Sequence, residues 1–507
     1  MTKQQKNELI NTILKSCLFS EYLPSEFSTS NLSSKCFEFR APNTSLTPIE
    51  FTMDKYNDLG NRRFISVPEI WSYINAINSL SNGDVLQKIL ELNDNDAHSL
   101  SKIINEKKQI KNFSDGYGFY VDSKKEIVDI ETEKDFSKNL ELKIEKAKGC
   151  ECILHLDISN FYNSIYTHNI TTIIEGSEWA TKEYHKIKEH SSDYIILSDI
   201  DSKIAAMNQK RTHGFLMGPR LSFILAESLL TRIDVELEEQ LSRLRIDFVR
   251  YVDDYDVFLK NRGQIKGVEA IFNRVLQTYG LLLNDSKTKV ENFPYYSYID
   301  FNKCVKEEDG ILDAYSKFSS IEKLNMQNGA LLYFCQNILS QYTSTRMALS
   351  LSFSMLKNVS KSLMSCCKNI VNFNSNEEDK KTIRTLLIDL LKDFTKKQLD
   401  LECVWVLYTL LKLFPRYSIE DDTLAYDLNE ICLVIYMYES KYGKQEEFIK
   451  ERAKECGWLL NYELFYNDII CSEEFSNNLK LESIKEYEYL KKEKIHFYHK
   501  KATTDNN

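Results

Sequence analysis

Two adjacent carboxylates, Asp253 and Asp254, sit in the stretch Phe248-Val249-Arg250-Tyr251-Val252-Asp253-Asp254-Tyr255-Asp256-Val257-Phe258. The flanking runs are rich in β-branched and aromatic residues, so they favour strands, and the Asp-Asp pair reads as the tip of a tight hairpin. Two anions side by side repel. Pinned by strands on both sides, they are tolerated mainly where a divalent cation neutralises them, and an oxygen-only donor set suits Mg²⁺ or Mn²⁺ rather than zinc. A lone Asp-Asp would more simply be a solvated acidic turn, but a third carboxylate argues otherwise. Asp157 ends the nearly continuous apolar run Cys152-Ile153-Leu154-His155-Leu156-Asp157 and is followed by Ile158 and the aromatic pair Phe161-Tyr162. Two divalent ions about 4 Å apart, bridged by Asp157 and Asp253, would align an attacking hydroxyl with a phosphate and neutralise the charge that develops. Asp254 supports that pair. The chemistry such a site would serve is phosphoryl transfer, and it would require the oxygens of Asp157 and Asp253 to meet with room for a cation beside them.

Phosphates would need partners too. Arg62 and Arg63 precede the short strand Phe64-Ile65-Ser66-Val67, which Pro68 stops, and guanidinium forks match triphosphate oxygens; by residue type alone they are equally a pair of surface arginines. Gly214 and Gly218-Pro219-Arg220-Leu221-Ser222 form a loop whose backbone can approach a ligand closely. Behind it, Leu225, Leu229, Leu230, Ile233, Leu237 and Leu241 mark a long amphipathic helix. Gly280 to Thr288 turns into a further strand after the helix Ile265–Tyr279. Lys287 in that turn is either a solvated lysine or a proton donor beside a pyrophosphate leaving group.

The elements that must hold these residues fall into three parts. Residues 1–55 are an N-terminal extension with a short helix (Asn7–Leu18) and irregular sequence after it. Residues 56–300 carry all the groups above; within them, 80–150 are polar, Lys/Glu-rich and mostly helical in pattern. Residues 301–507 hold few glycines and one proline, with apolar residues at helical spacing (Leu386, Leu387, Leu390, Leu391, Phe394). Glu402-Cys403-Val404-Trp405 is echoed by Glu455-Cys456-Gly457-Trp458, as in helical repeats that stack into a curved array. The last residues, from about Lys501, are polar and expected to fray.

Composition sets outer limits. With 507 residues, 43% of them hydrophobic and 28% charged, the chain is long enough for two or three domains. No apolar run is long enough for a membrane span and the N-terminus lacks a signal pattern, so no membrane partner and a cytoplasmic location are expected. The 12 cysteines show no paired Cys-x-x-Cys knuckles, which argues against zinc and for free thiols. A net charge of −10 is unusual for a protein that coats nucleic acid.

Asp157 with Tyr162, the Gly214/Gly218-Pro219/Ser222 loop, Tyr251-Val252-Asp253-Asp254 and Gly280–Lys287 resemble, in order, motifs A to D of reverse transcriptases. The match covers roughly residues 56–300. Leu156-Asp157-Ile158-Ser159-Asn160-Phe161-Tyr162-Asn163-Ser164-Ile165-Tyr166-Thr167-His168, followed by a long helical half, is similar to the bacterial abortive-infection and "unknown group" reverse transcriptases of the AbiA and AbiK type. The resemblance implies an α+β fold, right-hand fingers and palm with an antiparallel palm sheet, then an all-α helical-repeat domain replacing the thumb. It implies Mg²⁺, or Mn²⁺, at Asp157, Ile158, Asp253 and Asp254. Tyr162 would lie under the incoming sugar and select deoxynucleotides, with Gly218, Pro219, Arg62, Arg63 and Lys287 about the nucleotide. It further implies phage defence, DNA made without a supplied template and primed from a tyrosine of the protein, a covalent DNA product, and assembly into trimers or hexamers. Other members copy an associated non-coding RNA. Which of the 29 tyrosines would prime is not legible. An inactive helical-repeat scaffold is the reading from another class; intact metal carboxylates, sugar-gate aromatic and Gly-Pro loop speak against it. The C-terminal half shows no RNase H or integrase pattern and no Cys/His endonuclease cluster.

Overall fold

The computed structural model describes residues 3–16, 18–39, 46–54, 62–106, 119–121, 127–129, 136–295, 310–325, 346–358, 363–372, 376–419, 426–444 and 447–500. The tail from Lys501 lies outside them. The chain divides into two units: Met1–Leu18 with Leu32–Thr47 and Pro68–Asp300, and Phe19–Asn31 with Pro48–Val67 and Phe301–Asn507. Residues 1–55 are therefore shared between the two units, and Arg62–Val67 goes with the C-terminal half.

The strands, in chain order, are β1 (Ile49–Asp54), β2 (Arg62–Val67), β3 (Ile104–Glu106), β4 (Phe119–Val121), β5 (Ile127–Asp129), β6 (Cys152–Asp157), β7 (Asp247–Tyr251), β8 (Asp254–Leu259) and β9 (Lys289–Asn292). In the first unit, β3, β4 and β5 make a small sheet in a region whose composition reads as helical; its helices are Val85–Asn95 and Phe136–Lys146. The sheet that matters is antiparallel, in the order β7-β8-β6-β9. Its strands are the runs whose branched and aromatic side chains suit a pleated surface.

Alternation divides that sheet into two faces. Phe248, Arg250, Tyr255 and Val257 look one way, where Phe272 of helix Ile265–Thr278 packs edge-on against Phe248 and Tyr255. The long helix Arg220–Leu241 supplies acidic partners on the same side; it is buried along most of its length, including Glu227 and Asp234. Ile153, Val249 and Phe258 look the other way and form a core with Leu100 and Ala147. At the hairpin end this second face turns from apolar to acidic, with Asp157 on β6 and Asp254 on β8.

In the second unit β1 and β2 pair as an antiparallel hairpin. Thr52 N–H donates to Asp400 Oδ2 at 2.8 Å, which ties the hairpin to helix Asp400–Leu413. The elements described between Ile311 and Lys492 are all helices, several of which pack on one another through buried residues such as Leu387, Leu391, Val404, Leu407 and Ile435. The two Glu-Cys…Trp segments differ in setting: Trp405 lies inside helix Asp400–Leu413, whereas Trp458 opens helix Trp458–Tyr466. Every cysteine among the described residues is a free thiol. No helix among them is long and apolar enough to cross a membrane.

Candidate active site

β6 and β8 run antiparallel with Asp157 directly opposite Asp254. The direct ladder neighbour of Asp157 is thus the second aspartate of the pair. Asp253 stands one residue earlier, in the two-residue turn that joins β7 to β8, where Tyr251 pairs with Asp254. Its carbonyl accepts from Ile158 N–H at 3.2 Å, so the turn is fastened to the chain just beyond Asp157. One sheet end therefore gathers Asp157, Ile158, Asp253 and Asp254.

The turn has an unusual backbone. Val252 adopts φ +52°, a region that costs a residue with a Cβ roughly 1–2 kcal/mol and suits the primed turns of tight hairpins. Both of its polar groups are held: N–H donates to Ser101 Oγ at 3.0 Å, and C=O accepts from Arg250 Nη1 at 3.0 Å.

Asp157 is 4% exposed. Its Oδ1 accepts from Asn284 Nδ2 at 2.9 Å and its backbone carbonyl from Asn284 N–H at 2.8 Å. The turn after helix Ile265–Thr278 delivers these donors because it runs beside the end of β6, with Ile158 bridged to Leu283 and Ser159 N–H on Leu282 C=O at 2.8 Å. Ser286 Oγ donates to Asn284 Oδ1 at 2.7 Å, which fixes the amide with its NH₂ toward Asp157. From the same turn, Lys287 Nζ lies 2.5 Å from Asp157 Oδ2. Lys287 is therefore a partner of Asp157, with 49% of its side chain exposed. Burial works against its charge, but the hydrogen bond and charge of Asp157, followed by the charges of Asp254 and Asp253, raise its pKa.

Asp254 keeps surface toward solvent, yet its carboxyl is pushed up to about 7, first by burial and then by the charges of Asp253 and Asp157; Lys287 opposes the rise. Asp256, on the same face, behaves oppositely: despite burial, Lys143 at 2.8 Å and His155 at 2.6 Å hold it below the ordinary carboxylate range. The contrast shows where this face lacks positive charge. Among the described residues no group of three or more His, Cys, Asp or Glu side chains meets as a ready metal cluster. The donor chemistry nevertheless fits a hard cation. The carboxyls are oxygen donors whose mutual repulsion raises Asp254, and the ammonium on Asp157 stands on a half-exposed, flexible stem that can swing aside.

Tyr162 is half-buried, stacked edge-on against Phe161. Its carbonyl accepts from Phe215 N–H at 2.8 Å, and Gly214 N–H donates to Ile165 C=O at 2.9 Å. The glycine loop is thereby joined to the segment after Asp157. Gly214 has φ +90°, and a Cβ there would lie 3.5 Å from the Asn163 carbonyl oxygen, so a side chain is disfavoured by conformation and confined by the neighbouring backbone. Gly218 (φ +124°) and Pro219 lead into helix Arg220–Leu241, with Pro219 at its N-cap.

Arg62 and Arg63 belong to the second unit. Arg62 Nη1 and Nη2 donate to the carbonyls of Gln398 and Lys397, both at 2.7 Å, so its fork is engaged with main chain at the end of helix Glu377–Lys396. Asn284, Ser101 and the partners of Arg250 are the site residues that sequence reasoning passed over. For Arg250 a signal existed: an arginine alternating with Phe248 on the apolar side of a strand demands buried acids, and Glu227 and Asp234 lie seven residues apart on the apolar stripe of the long helix.

Residues 86–311 match the family Reverse transcriptase (RNA-dependent DNA polymerase). The chain carries a reverse-transcriptase domain. It is a nucleotidyltransferase of the RNA-directed DNA polymerase type, and the matched span contains Asp157, Asp253 and Asp254. No curated protein matches the chain. Among solved structures it is similar to apo telomerase from Candida tropicalis (14% identity over 74% of this chain and 67% of that one, TM-score 0.31). It is also similar to telomerase from Candida albicans in complex with the TWJ fragment of telomeric RNA (14%, 77% and 68%, TM-score 0.31). The Candida tropicalis enzyme with the same RNA fragment gives 16% identity over 78% and 65%, with TM-score 0.32.

Proposed function

We propose that this chain is a defence enzyme against phage that joins deoxynucleotides into DNA without a supplied template, starting from a tyrosine of its own. The observation that carries the polymerase part is the register of β6 and β8, which sets Asp157 opposite Asp254 and beside the turn that holds Asp253. In this reading Asp157 and Asp253 bind the ions, with Ile158 beside them, and Asp254 tunes the set. Bound Mg²⁺ or Mn²⁺ would lower the pKa of the attacking hydroxyl and neutralise the transferred phosphate. Asn284 holds the Asp157 carboxylate at a fixed angle. Tyr162 occupies the volume beneath the sugar that a 2′-hydroxyl would need. Lys287, which donates to Asp157 and keeps half of its side chain exposed, would serve as a proton donor to the pyrophosphate oxygens.

The net charge of −10 supports a product held by a covalent bond rather than by counterion release along a basic track. The defence role, the tyrosine primer and assembly into a trimer or hexamer rest on the resemblance of the motifs and the helical C-terminal half to abortive-infection enzymes.

The test uses purified full-length protein with each dNTP, Mg²⁺ or Mn²⁺ and no template, followed by protease or nuclease. A mass increase on the protein that nuclease removes supports tyrosine priming. Incorporation that requires co-purified RNA replaces this reading with an RNA-templated enzyme, and none with either metal leaves the scaffold. Asp253→Asn abolishes incorporation while the circular dichroism spectrum stays native; a variant that still extends DNA refutes the metal assignment.

A further inference from the structure

Arg250 is fully buried, and a guanidinium removed from water has to be matched by carboxylates. Nη1 and Nη2 donate to Glu227 Oε2 and Oε1, each at 2.9 Å, and Nε donates to Asp234 Oδ2 at 2.6 Å. Asp96 Oδ2 stands 3.5 Å from Nη2. Tyr255 OH donates to Asp234 Oδ1 at 3.0 Å, and Ser99 and Ser101 Oγ donate to Glu227 at 2.6 and 3.0 Å. All three acids are buried. They exceed the charge of one guanidinium; burial, which raises Asp234 well above the carboxylate range, leaves the cluster a proton to hold.

Taken alone, this is a network that holds a strand to a helix. Two further bonds, however, run from it to one residue of the hairpin turn: Arg250 Nη1 to the Val252 carbonyl, and the Val252 amide to Ser101 Oγ. Val252 is the residue with positive φ, immediately before the two aspartates. With the peptide groups on both sides of Val252 gripped, one at its amide and the other at its carbonyl, the residue cannot rotate to relieve that conformation, and such a rotation would re-aim Asp253.

We propose that Arg250 and Ser101 are positioning residues for the nucleotidyl-transfer site: they lock Val252 in its left-handed conformation and so fix where Asp253 and Asp254 stand relative to Asp157. The inference rests on the reading of those carboxylates as metal ligands.

The test compares Ser101→Ala, Ser101→Thr and Arg250→Lys with wild type in the full-length chain. Two readouts are taken well below the melting temperature: hydrogen exchange of the peptide covering residues 248–258 without metal, and Mn²⁺ affinity by electron paramagnetic resonance. Loss of a partner that orients a metal ligand characteristically weakens binding about 10- to 100-fold. Ser101→Ala therefore speeds exchange in the turn and weakens Mn²⁺ binding about tenfold, and Ser101→Thr, which keeps the hydroxyl, restores both. Should Arg250→Lys fail to fold, the serine pair still decides. A Ser101→Ala protein that merely melts earlier, with exchange and Mn²⁺ affinity of wild type, overturns the proposal and leaves the cluster a structural one. Mn²⁺ binding that survives Asp253→Asn marks failure of the metal reading instead, and the metal-free exchange result then judges the locked turn by itself.

Discussion

Replacing Asp254 by asparagine removes a carboxyl that the fold resists ionising, and the consequence depends on pH in a calculable way. The carboxyl ionises near its ordinary value of 3.8 when the chain is unfolded and is pushed up to about 7 when it is folded. Across that window the folded chain retains a proton that the unfolded chain has released, so the contribution of this group to stability is whole below pH 3.8 and is lost as pH rises through about 7. Each pH unit is worth 1.36 kcal/mol, which bounds the loss at about 4 kcal/mol. Solvent screening at the exposed residue reduces it to about 1–2 kcal/mol. Asparagine has nothing to ionise. Asp254→Asn should therefore track wild type at pH 5 more closely than at pH 8, where it should be the more stable by that amount, roughly 2–6 °C in melting temperature for a domain of this size. The assay is a set of fluorescence melts in EDTA from pH 5 to pH 8. Millimolar Mg²⁺ should then close the gap from the wild-type side, since a cation that binds only the folded state stabilises it. A difference between the two proteins that does not widen with pH refutes the electrostatic account of the site.

Three further outcomes follow from the same geometry and from the helical unit. Tyr162→Val opens the volume beneath the sugar, so discrimination against ribonucleotides should fall by about tenfold or more, read as the ratio of kcat/KM for paired dNTP and rNTP substrates; unchanged discrimination removes Tyr162 from that role. Lys287→Met takes the competing ammonium off Asp157, so Mn²⁺ should bind the nucleotide-free protein more tightly while incorporation slows; weaker Mn²⁺ binding shows that Lys287 helps to build the site. Glu430→Ala deprives Gly457 N–H and Leu460 N–H of an acceptor that lies 2.8 Å from each at the start of helix Trp458–Tyr466. It should cost about 1–3 kcal/mol in thermal or urea melts without altering metal affinity.

What the sequence reveals about this site and what it conceals separate by physical cause. Strand runs and the Asp-Asp turn are legible because side-chain type and alternation act locally, and Asp157 is legible because it ends an apolar run. The pairing register is not local. Nothing in the spacing says that Asp157 faces Asp254 across the ladder while Asp253 is carried in the turn; hydrogen bonds between distant segments decide that. The same holds for Asn284, whose amide reaches Asp157 only because the turn after a helix runs alongside β6. Lys287 left two readings open in the sequence, and the fold adds a contact with Asp157 that composition could not supply. Arg62 shows the same dependence: its type suits a phosphate, and the fold adds two bonds from its fork to the main-chain carbonyls of Gln398 and Lys397, which residue type alone does not reveal. A positive φ at a valine is invisible to propensity, which speaks against it. The conformation persists because Arg250 and Ser101 hold both polar groups of that residue, and Arg250 can be buried there only because Glu227 and Asp234 ride on the inner stripe of the long helix. A strained turn, a buried cation and misplaced-looking acids in an apolar helix are thus one feature rather than three. It is to be sought in a sequence as a joint violation of three local rules, each of which would be unfavourable without the other two.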